Sequence, residues 1–282
     1  MSRISMPALP RRVPKMTRQD IVLDDGEARL ILYLHETDAE IRTNHHVRPC
    51  VLVCPGGGYV RCSEREQDPP ALAFFAAGYQ VGILLYSVQE KAAGLRPLRQ
   101  ASLALMELRR NCDQWRIDPH SIAVLGFSAG GHLAASLGTL WNHPRLVSML
   151  DTCDGMNRPD ALVLCYPVIT TGSLSHEGSA LNVSGGDPDL REFLSLENQV
   201  TDTVPPVFLW HTMDDDTVPV ENSLLFVSAL HRYGVPTECH LYPSGVHGLS
   251  MCNEEVGTVN GHCAGWFSLC LDWLNDLFGF VL

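Results

Sequence analysis

The sequence predicts an α/β fold, a mostly parallel central sheet covered by helices on both faces. Three observations carry that expectation. Short apolar runs recur along the 282-residue chain, at 51–54, 81–85, 122–125, 161–165 and 207–210, without alternating with polar residues. A strand with one wet face alternates, whereas a strand covered on both faces reads as a continuous apolar run. Between the runs lie helical patterns. Leu98, Ala101, Leu105, Leu108, Cys112 and Trp115 follow at spacings of three and four, with Arg99, Glu107 and Arg110 elsewhere on the wheel. Pro219 opens a further helix that Gly234 closes, and Trp266, Cys270, Trp273 and Leu277 trace one more apolar face.

The remaining segments complete the plan. Ile21-Val22-Leu23, the turn Asp24-Asp25-Gly26 and Leu30-Ile31-Leu32-Tyr33-Leu34 suggest an antiparallel pair at a sheet edge. Residues 1–19 read as an N-terminal arm and 20–282 as a single domain with no internal repeat. Between about 168 and 205, Gly, Ser, Asp and Pro concentrate, which suggests an insertion over the carboxyl ends of the strands with at most short helices.

Composition excludes several functions. Formal net charge is −12, and Lys and Arg form no long block. A nucleic-acid or anionic-membrane surface needs a basic patch, so neither partner is expected. No stretch reaches the ~20 apolar residues of a membrane span, and the N-terminal positive charges are not followed by an apolar signal core. The default expectation is a cytoplasmic protein. Ten cysteines are scattered with no C-x-x-C, and Cys54 and Cys165 fall in expected strands. Neither a disulfide framework nor a metal site is expected.

The chemistry concentrates at Gly126-Phe127-Ser128-Ala129-Gly130-Gly131, directly after the strand 122–125 and directly before the helical run 132–137. A G-x-S-x-G pattern alone carries little. In a sharp strand-to-helix turn, glycines are needed because side chains there would collide with neighbouring elements, and Ser128 is held out as a nucleophile. Cys54-Pro55-Gly56-Gly57-Gly58-Tyr59 ends another strand, and its glycines let backbone N–H groups turn toward a substrate. The amides of Gly57, Gly58 and Ala129 are the candidate oxyanion hole. The Gly56–Tyr59 loop, with Tyr59, should bound the acyl side.

Sheets bearing such a turn order their triad Ser, acid, His along the chain. Among twelve histidines, His247 lies best, in the glycine-containing loop 242–248 after the last expected strand, 238–242. His262 should begin the terminal helix, and His211 and His132 suit structural hydrogen bonding. The acid lies among Asp214, Asp215 and Asp216, and the residues alone do not choose between them.

Taken together, PGGGY, DPHSIAVLGFSAGGHLAA, WHTMDDDTVPVENS and YPSGVHG resemble bacterial acetylesterases of the α/β-hydrolase superfamily, described as acetylxylan-esterase-like or feruloyl-esterase-like. The resemblance runs from about residue 48 to 275. The family's acid motif, H-G-x-x-D-x-x-V-P, aligns on His211, Val218 and Pro219 and puts its carboxylate at Asp215; Thr212 replaces the motif glycine. The resemblance implies a triad of Ser128, Asp215 and His247. It also implies hydrolysis of short-chain acyl esters of sugars or xylo-oligosaccharides, with no cofactor. A serine peptidase of the prolyl-oligopeptidase type shares the triad order, but usually carries an additional large domain for which about 50 residues before the first core strand leave no room. A non-catalytic binding protein on this fold typically loses the Ser or the His, and both are present.

Overall fold

A computed structural model describes residues 16–36 and 46–281 of the chain. Among these residues, eight strands form one sheet. In chain order they are β1 (Met16–Leu23), β2 (Ala28–His35), β3 (Arg48–Cys54), β4 (Gln80–Leu85), β5 (Ile117–Phe127), β6 (Ala161–Cys165), β7 (Val207–Thr212) and β8 (Thr237–Tyr242). Across the sheet they lie in the order β1-β2-β4-β3-β5-β6-β7-β8. The β1–β2 and β2–β4 pairings are antiparallel, and every pairing from β4 to β8 is parallel. All five apolar runs are strands, β3 to β7.

The edge differs from expectation in one place. β1 begins at Met16, so residues 16–19 belong to the sheet and not to an arm. They pair with Leu32 to His35 of β2, which accept and donate the hydrogen bonds of alternate residues while the other edge faces outward. Side chains of β1 are largely exposed, so its sequence, MTRQDIVL, carries little apolar signal to announce it. Residues 1–15 lie outside the described residues.

The helices are α1 (Asp68–Ala76), α2 (Arg96–Arg110), α3 (Cys112–Trp115), α4 (Ala129–Leu140), α5 (Pro144–Val147), α6 (Glu177–Ser184), α7 (Pro188–Phe193), α8 (Glu221–Arg232) and α9 (Trp266–Phe278). Strand side chains alternate between two cores. Cys50, Leu52 and Cys54 of β3 pack with residues of α2, α4 and α8, while Val51 and Val53 pack with residues of α1 and α9. Both faces are therefore dry, which is why the strands read as unbroken apolar runs. Cys54 and Cys165 are fully buried free thiols whose ionisation burial opposes.

Topology positions the site. The chain runs from β3 to β4 on one side, then crosses back to β5 on the other side of β3. The loops after β3 and β5 diverge there and leave a crevice at the carboxyl ends of the strands. Residues 168–205 follow β6 and form α6, α7 and a short 3₁₀ turn. Val183, Leu194, Leu196, Val200 and Val204 of this insertion are buried in the core shared with α2, α4 and α8.

At the crevice α4 approaches β3 too closely for a side chain. A Cβ on Gly130 would lie 2.1 Å from the Cys54 carbonyl oxygen. Gly130→Ala is expected to cost about 3 kcal/mol or more of stability through backbone overpacking. Gly265→Ala, where a Cβ meets nothing within 4 Å, serves as the control. It should stay within about 0.5 kcal/mol of wild type. Urea unfolding of both variants measures the difference.

Candidate active site

Ser128 sits between β5 and α4 with φ 53° and ψ −118°, in the left-handed half of the map that side chains avoid. The strain is held from both sides. Ser128 N–H donates to the Cys165 carbonyl at 3.0 Å, and the Ser128 carbonyl accepts from the N–H groups of His132 (3.1 Å) and Val168 (3.0 Å). Gly126 permits the turn, because a Cβ there would lie 2.2 Å from the Gly130 carbonyl oxygen.

The structure brings Ser128, His247 and Asp215 together from three loops. Ser128 Oγ and His247 Nε2 are 2.8 Å apart, across 119 residues of chain. His247 Nδ1 and Asp215 Oδ2 are 2.7 Å apart. An ionised carboxylate only accepts, so Nδ1 carries the imidazole proton and Nε2 is left to accept from the Ser128 hydroxyl.

Asp215 is buried and accepts four hydrogen bonds. Oδ2 takes His247 Nδ1–H and, at 3.2 Å, His211 Nε2–H; Oδ1 takes the N–H groups of Thr217 (3.0 Å) and Val218 (2.9 Å). Burial opposes its charge, but the donated bonds from His211, His247 and Val218 prevail and hold the carboxyl well below the usual range. His211 also contacts the Val218 carbonyl at 3.1 Å and Ser223 Oγ at 2.7 Å. A carbonyl cannot donate, so the His211 proton is on Nε2.

The neighbouring carboxylates have different surroundings. Asp214 Oδ1 accepts from Gly245 N–H at 2.8 Å and Oδ2 from the Ser244 hydroxyl at 2.7 Å. Asp216 is exposed and accepts from the Thr217 hydroxyl. The sequence suggests a flexible loop around His247, yet the loop is tied down. Besides Asp214, the Thr212 hydroxyl donates to the Gly245 carbonyl at 2.8 Å and Asn260 Nδ2 to the Ser244 carbonyl at 3.1 Å.

Gly57 and Gly58 line the cleft beside Ser128, both at positive φ. Among the described residues, the N–H groups of Gly57, Gly58 and Ala129 have no hydrogen-bond partner. Ala129 is buried in the first turn of α4 and does not line the cleft. The Gly56 N–H is occupied, donating to Glu66 Oε2 at 2.9 Å.

Sequence reasoning missed Glu66 and Tyr166. Glu66 is buried, and burial raises its carboxyl against bonds from the Tyr166 hydroxyl and Gly56. Tyr166 donates to Glu66 Oε1 at 2.9 Å, accepts from Ser250 N–H at 2.8 Å and packs its ring edgewise on His247. One carboxylate thus links the glycine loop to the ring behind the histidine. No local motif marks either residue.

Tyr59 does not bound the cleft. Its φ of 57° turns the side chain inward, where it is 1% exposed and its hydroxyl donates to His132 Nδ1 at 2.9 Å. His132 Nε2–H in turn donates to the Leu194 carbonyl at 3.0 Å, tying the glycine loop to the insertion through α4.

The cleft measures about 290 Å³. From the insertion it is lined by His176 and Gly178, and from the glycine loop and the segment after it by Val60, Arg61, Ser63 and Arg65. Its volume is at the small end of the roughly 300–1,000 Å³ of ligand pockets.

Residues 39–230 match the sequence model of the family described as BD-FAE. Endo-1,4-beta-xylanase B of Butyrivibrio fibrisolvens is 36% identical over 250 residues, covering 85% of this chain and 37% of that protein. An acetylxylan esterase of Xylanibacter ruminicola is 31% identical over 242 residues, covering 80% and 44%. The chain therefore spans less than half the length of these two relatives. Among solved structures, an acetyl ester-xyloside bifunctional hydrolase from Caldicellulosiruptor lactoaceticus superposes with TM-score 0.79 at 34% identity, covering 96% of this chain and all of that one. An alpha/beta hydrolase from a deep-sea metagenome library superposes with TM-score 0.79 at 34% identity, covering 95% and 100%.

Two measurements test this geometry. Asp215→Asn should lower kcat/KM by about 10⁴-fold, because an amide at that position stabilises the wrong tautomer. Asp214→Asn should cost far less and Asp216→Asn least. Burial lowers the His132 pKa to about 4, whereas an unfolded histidine titrates near ~6.5. Between those values the unfolded chain binds the extra proton, so stability is full above ~6.5 and falls with pH toward 4. On the order of 3 kcal/mol should be lost across that window. Urea unfolding as a function of pH should show this slope, and His132→Gln should flatten it.

Proposed function

The chain belongs to the BD-FAE family, within the α/β-hydrolases, and from that premise we propose that it is a serine carboxylesterase that removes short acyl groups, acetyl above all, from acetylated sugars or xylo-oligosaccharides. The observation that carries the proposal is the pair of short contacts from His247 to Ser128 Oγ (2.8 Å) and Asp215 Oδ2 (2.7 Å). The names of the acetylxylan esterase and acetyl ester-xyloside hydrolase relatives support the substrate class.

The mechanism follows from the donors and acceptors. As Ser128 Oγ attacks the ester carbonyl carbon, its proton passes to His247 Nε2. The imidazolium so formed lies against the Asp215 carboxylate, which is ionised and locked in orientation by three further donors. The carbonyl oxygen becomes an oxyanion and takes hydrogen bonds from the Gly57, Gly58 and Ala129 amides. Donors of this kind contribute about 10²–10³-fold each in comparable sites. Collapse of the intermediate breaks the bond to the alcohol, which leaves with the proton from His247. Water repeats the cycle on the acyl-serine and releases the acid. His247 is the acid and base throughout, and Asp215 stays ionised and orients it.

A short acyl preference follows from the cleft. From the insertion only His176 and Gly178 line the cleft, and its exposed apolar side chains, Leu174 and Leu181, do not, so none of them builds a trough for a long chain. Each further methylene needs about 0.8 kcal/mol of apolar contact to be recognised. With p-nitrophenyl esters of two to twelve carbons, kcat/KM should peak between acetyl and butyryl and fall steeply by octanoyl. A maximum at octanoyl or longer would contradict the proposal. Ser128→Ala should lower turnover by roughly 10⁴- to 10⁶-fold while leaving the melting temperature within a few degrees.

A further inference from the structure

His176 stands in the insertion, on the rim of the cleft opposite the strand-to-helix turn, and it caps α6. Its Nδ1 faces two partners, the Ser179 N–H at 3.2 Å and the Ser179 hydroxyl at 2.8 Å. A backbone N–H can only donate, so Nδ1 is the acceptor and carries no proton. The neutral ring must then carry its proton on Nε2. No hydrogen bond to Nε2 exists among the described residues. The cap thus leaves Nε2–H as the ring's one unpaired polar group, on a residue that lines the cleft.

Its position is fixed relative to the reacting groups. Asn182, on the same helix, donates to the Gly58 carbonyl at 2.9 Å, and His176 Cε1 lies 3.6 Å from where a Cβ on Gly58 would sit. Burial, the nearby His247 and the cap all favour the uncharged ring, with Asp215 opposing them. Two more donor groups line the same cleft. Neither Arg61 nor Arg65 makes an ion pair among the described residues. Glu66, the carboxylate in the lining, already accepts from Gly56 and Tyr166. Arg65 gives one N–H to the Gly248 carbonyl at 3.3 Å, and with its remaining N–H groups, those of Arg61 and His176 Nε2–H the lining holds more donors than acceptors for them.

An acetyl ester supplies few. Its acyl half has one acceptor, the carbonyl oxygen, and the proposed oxyanion amides already serve that atom. Any further acceptor must come from the alcohol half. We propose that His176 is a specificity-determining residue that reads the leaving alcohol: its Nε2–H donates to a hydroxyl or ring oxygen of a polyhydroxylated group next to the scissile ester. This proposal rests on the esterase reading above and adds the residue that selects the sugar. A site built to donate to an oxygen discriminates against partners lacking one, because the donor is then left buried and unpaired.

The test compares two substrates on one preparation: acetylated xylobiose, followed by acetate release, and p-nitrophenyl acetate, whose leaving group lacks sugar oxygens. The variant is His176→Ser, which keeps a helix-capping oxygen while withdrawing the ring. The readout is the ratio of the two kcat/KM values, which is independent of the folded fraction because both are measured on the same protein. His176→Ser should lower the ratio, xylobiose over p-nitrophenyl acetate, at least ten-fold relative to wild type. An active wild type whose ratio is unaltered by the substitution overturns the assignment of His176 and leaves the esterase reading standing. A wild type that releases no acetate from either substrate overturns the esterase reading and this inference with it.

Discussion

A neutral imidazole has one N–H and one lone pair, and His247 uses both within 2.8 Å, one toward Asp215 and one toward Ser128. Three loops must meet at that ring, after β5, after β7 and after β8. Only a parallel arrangement of those strands delivers all three loops to one edge of the sheet. The rest of the molecule can be read as what holds this meeting in place. The dry sheet fixes the strand ends, α4 seats directly against β3, and the strained turn at Ser128 presents Oγ to Nε2.

Precision at the ring comes from groups that never touch a substrate. Asp214 and Thr212 clamp the segment carrying His247, and His211 shares the Asp215 oxygen that His247 uses. Glu66 is the most demanding of these groups, since a buried carboxylate is stable only when its oxygens are satisfied. It receives one bond from Gly56 and one from Tyr166, whose ring backs His247. An amide in its place would leave one of those partners without a complement whichever way it turned. The carboxylate thereby couples the position of the glycine loop to that of the histidine. Such support lets a constellation hold its geometry to a fraction of an ångström.

The sheet was legible because strands dry on both faces write their burial directly into sequence, as 161–165 and 207–210 do. β1 was only partly legible, since its mostly exposed side chains hide four paired residues. The turn at Ser128 was legible through its glycines, whose absence of a Cβ is a steric requirement and so a local signal. The choice among Asp214, Asp215 and Asp216 was not, because adjacent carboxylates differ only in the direction the folded backbone gives them. The resemblance to known acetylesterases singled out Asp215, and the structure places that residue against His247. Tyr59 misled, because a left-handed backbone angle turned an aromatic next to the cleft into the core. Glu66 and Tyr166 escaped notice because their network with each other and with Ser250 joins residues distant in the chain, and His176 because only the fold shows that it caps a helix beside the cleft.

The cleft combines a small volume with a lining that includes the hydrogen-bond donors Arg61, Arg65 and His176. The insertion adds His176 and Gly178 to that lining and no apolar side chain. Every step of the proposed reaction starts from an activated Ser128, and covalent labelling examines that without reference to any substrate. A fluorophosphonate probe incubated with the native protein, followed by proteolysis and peptide mapping by mass spectrometry, should place one phosphonyl group on Ser128. The His247→Ala variant should label far more slowly. Failure of the native protein to label, or labelling of a different serine, would contradict the account.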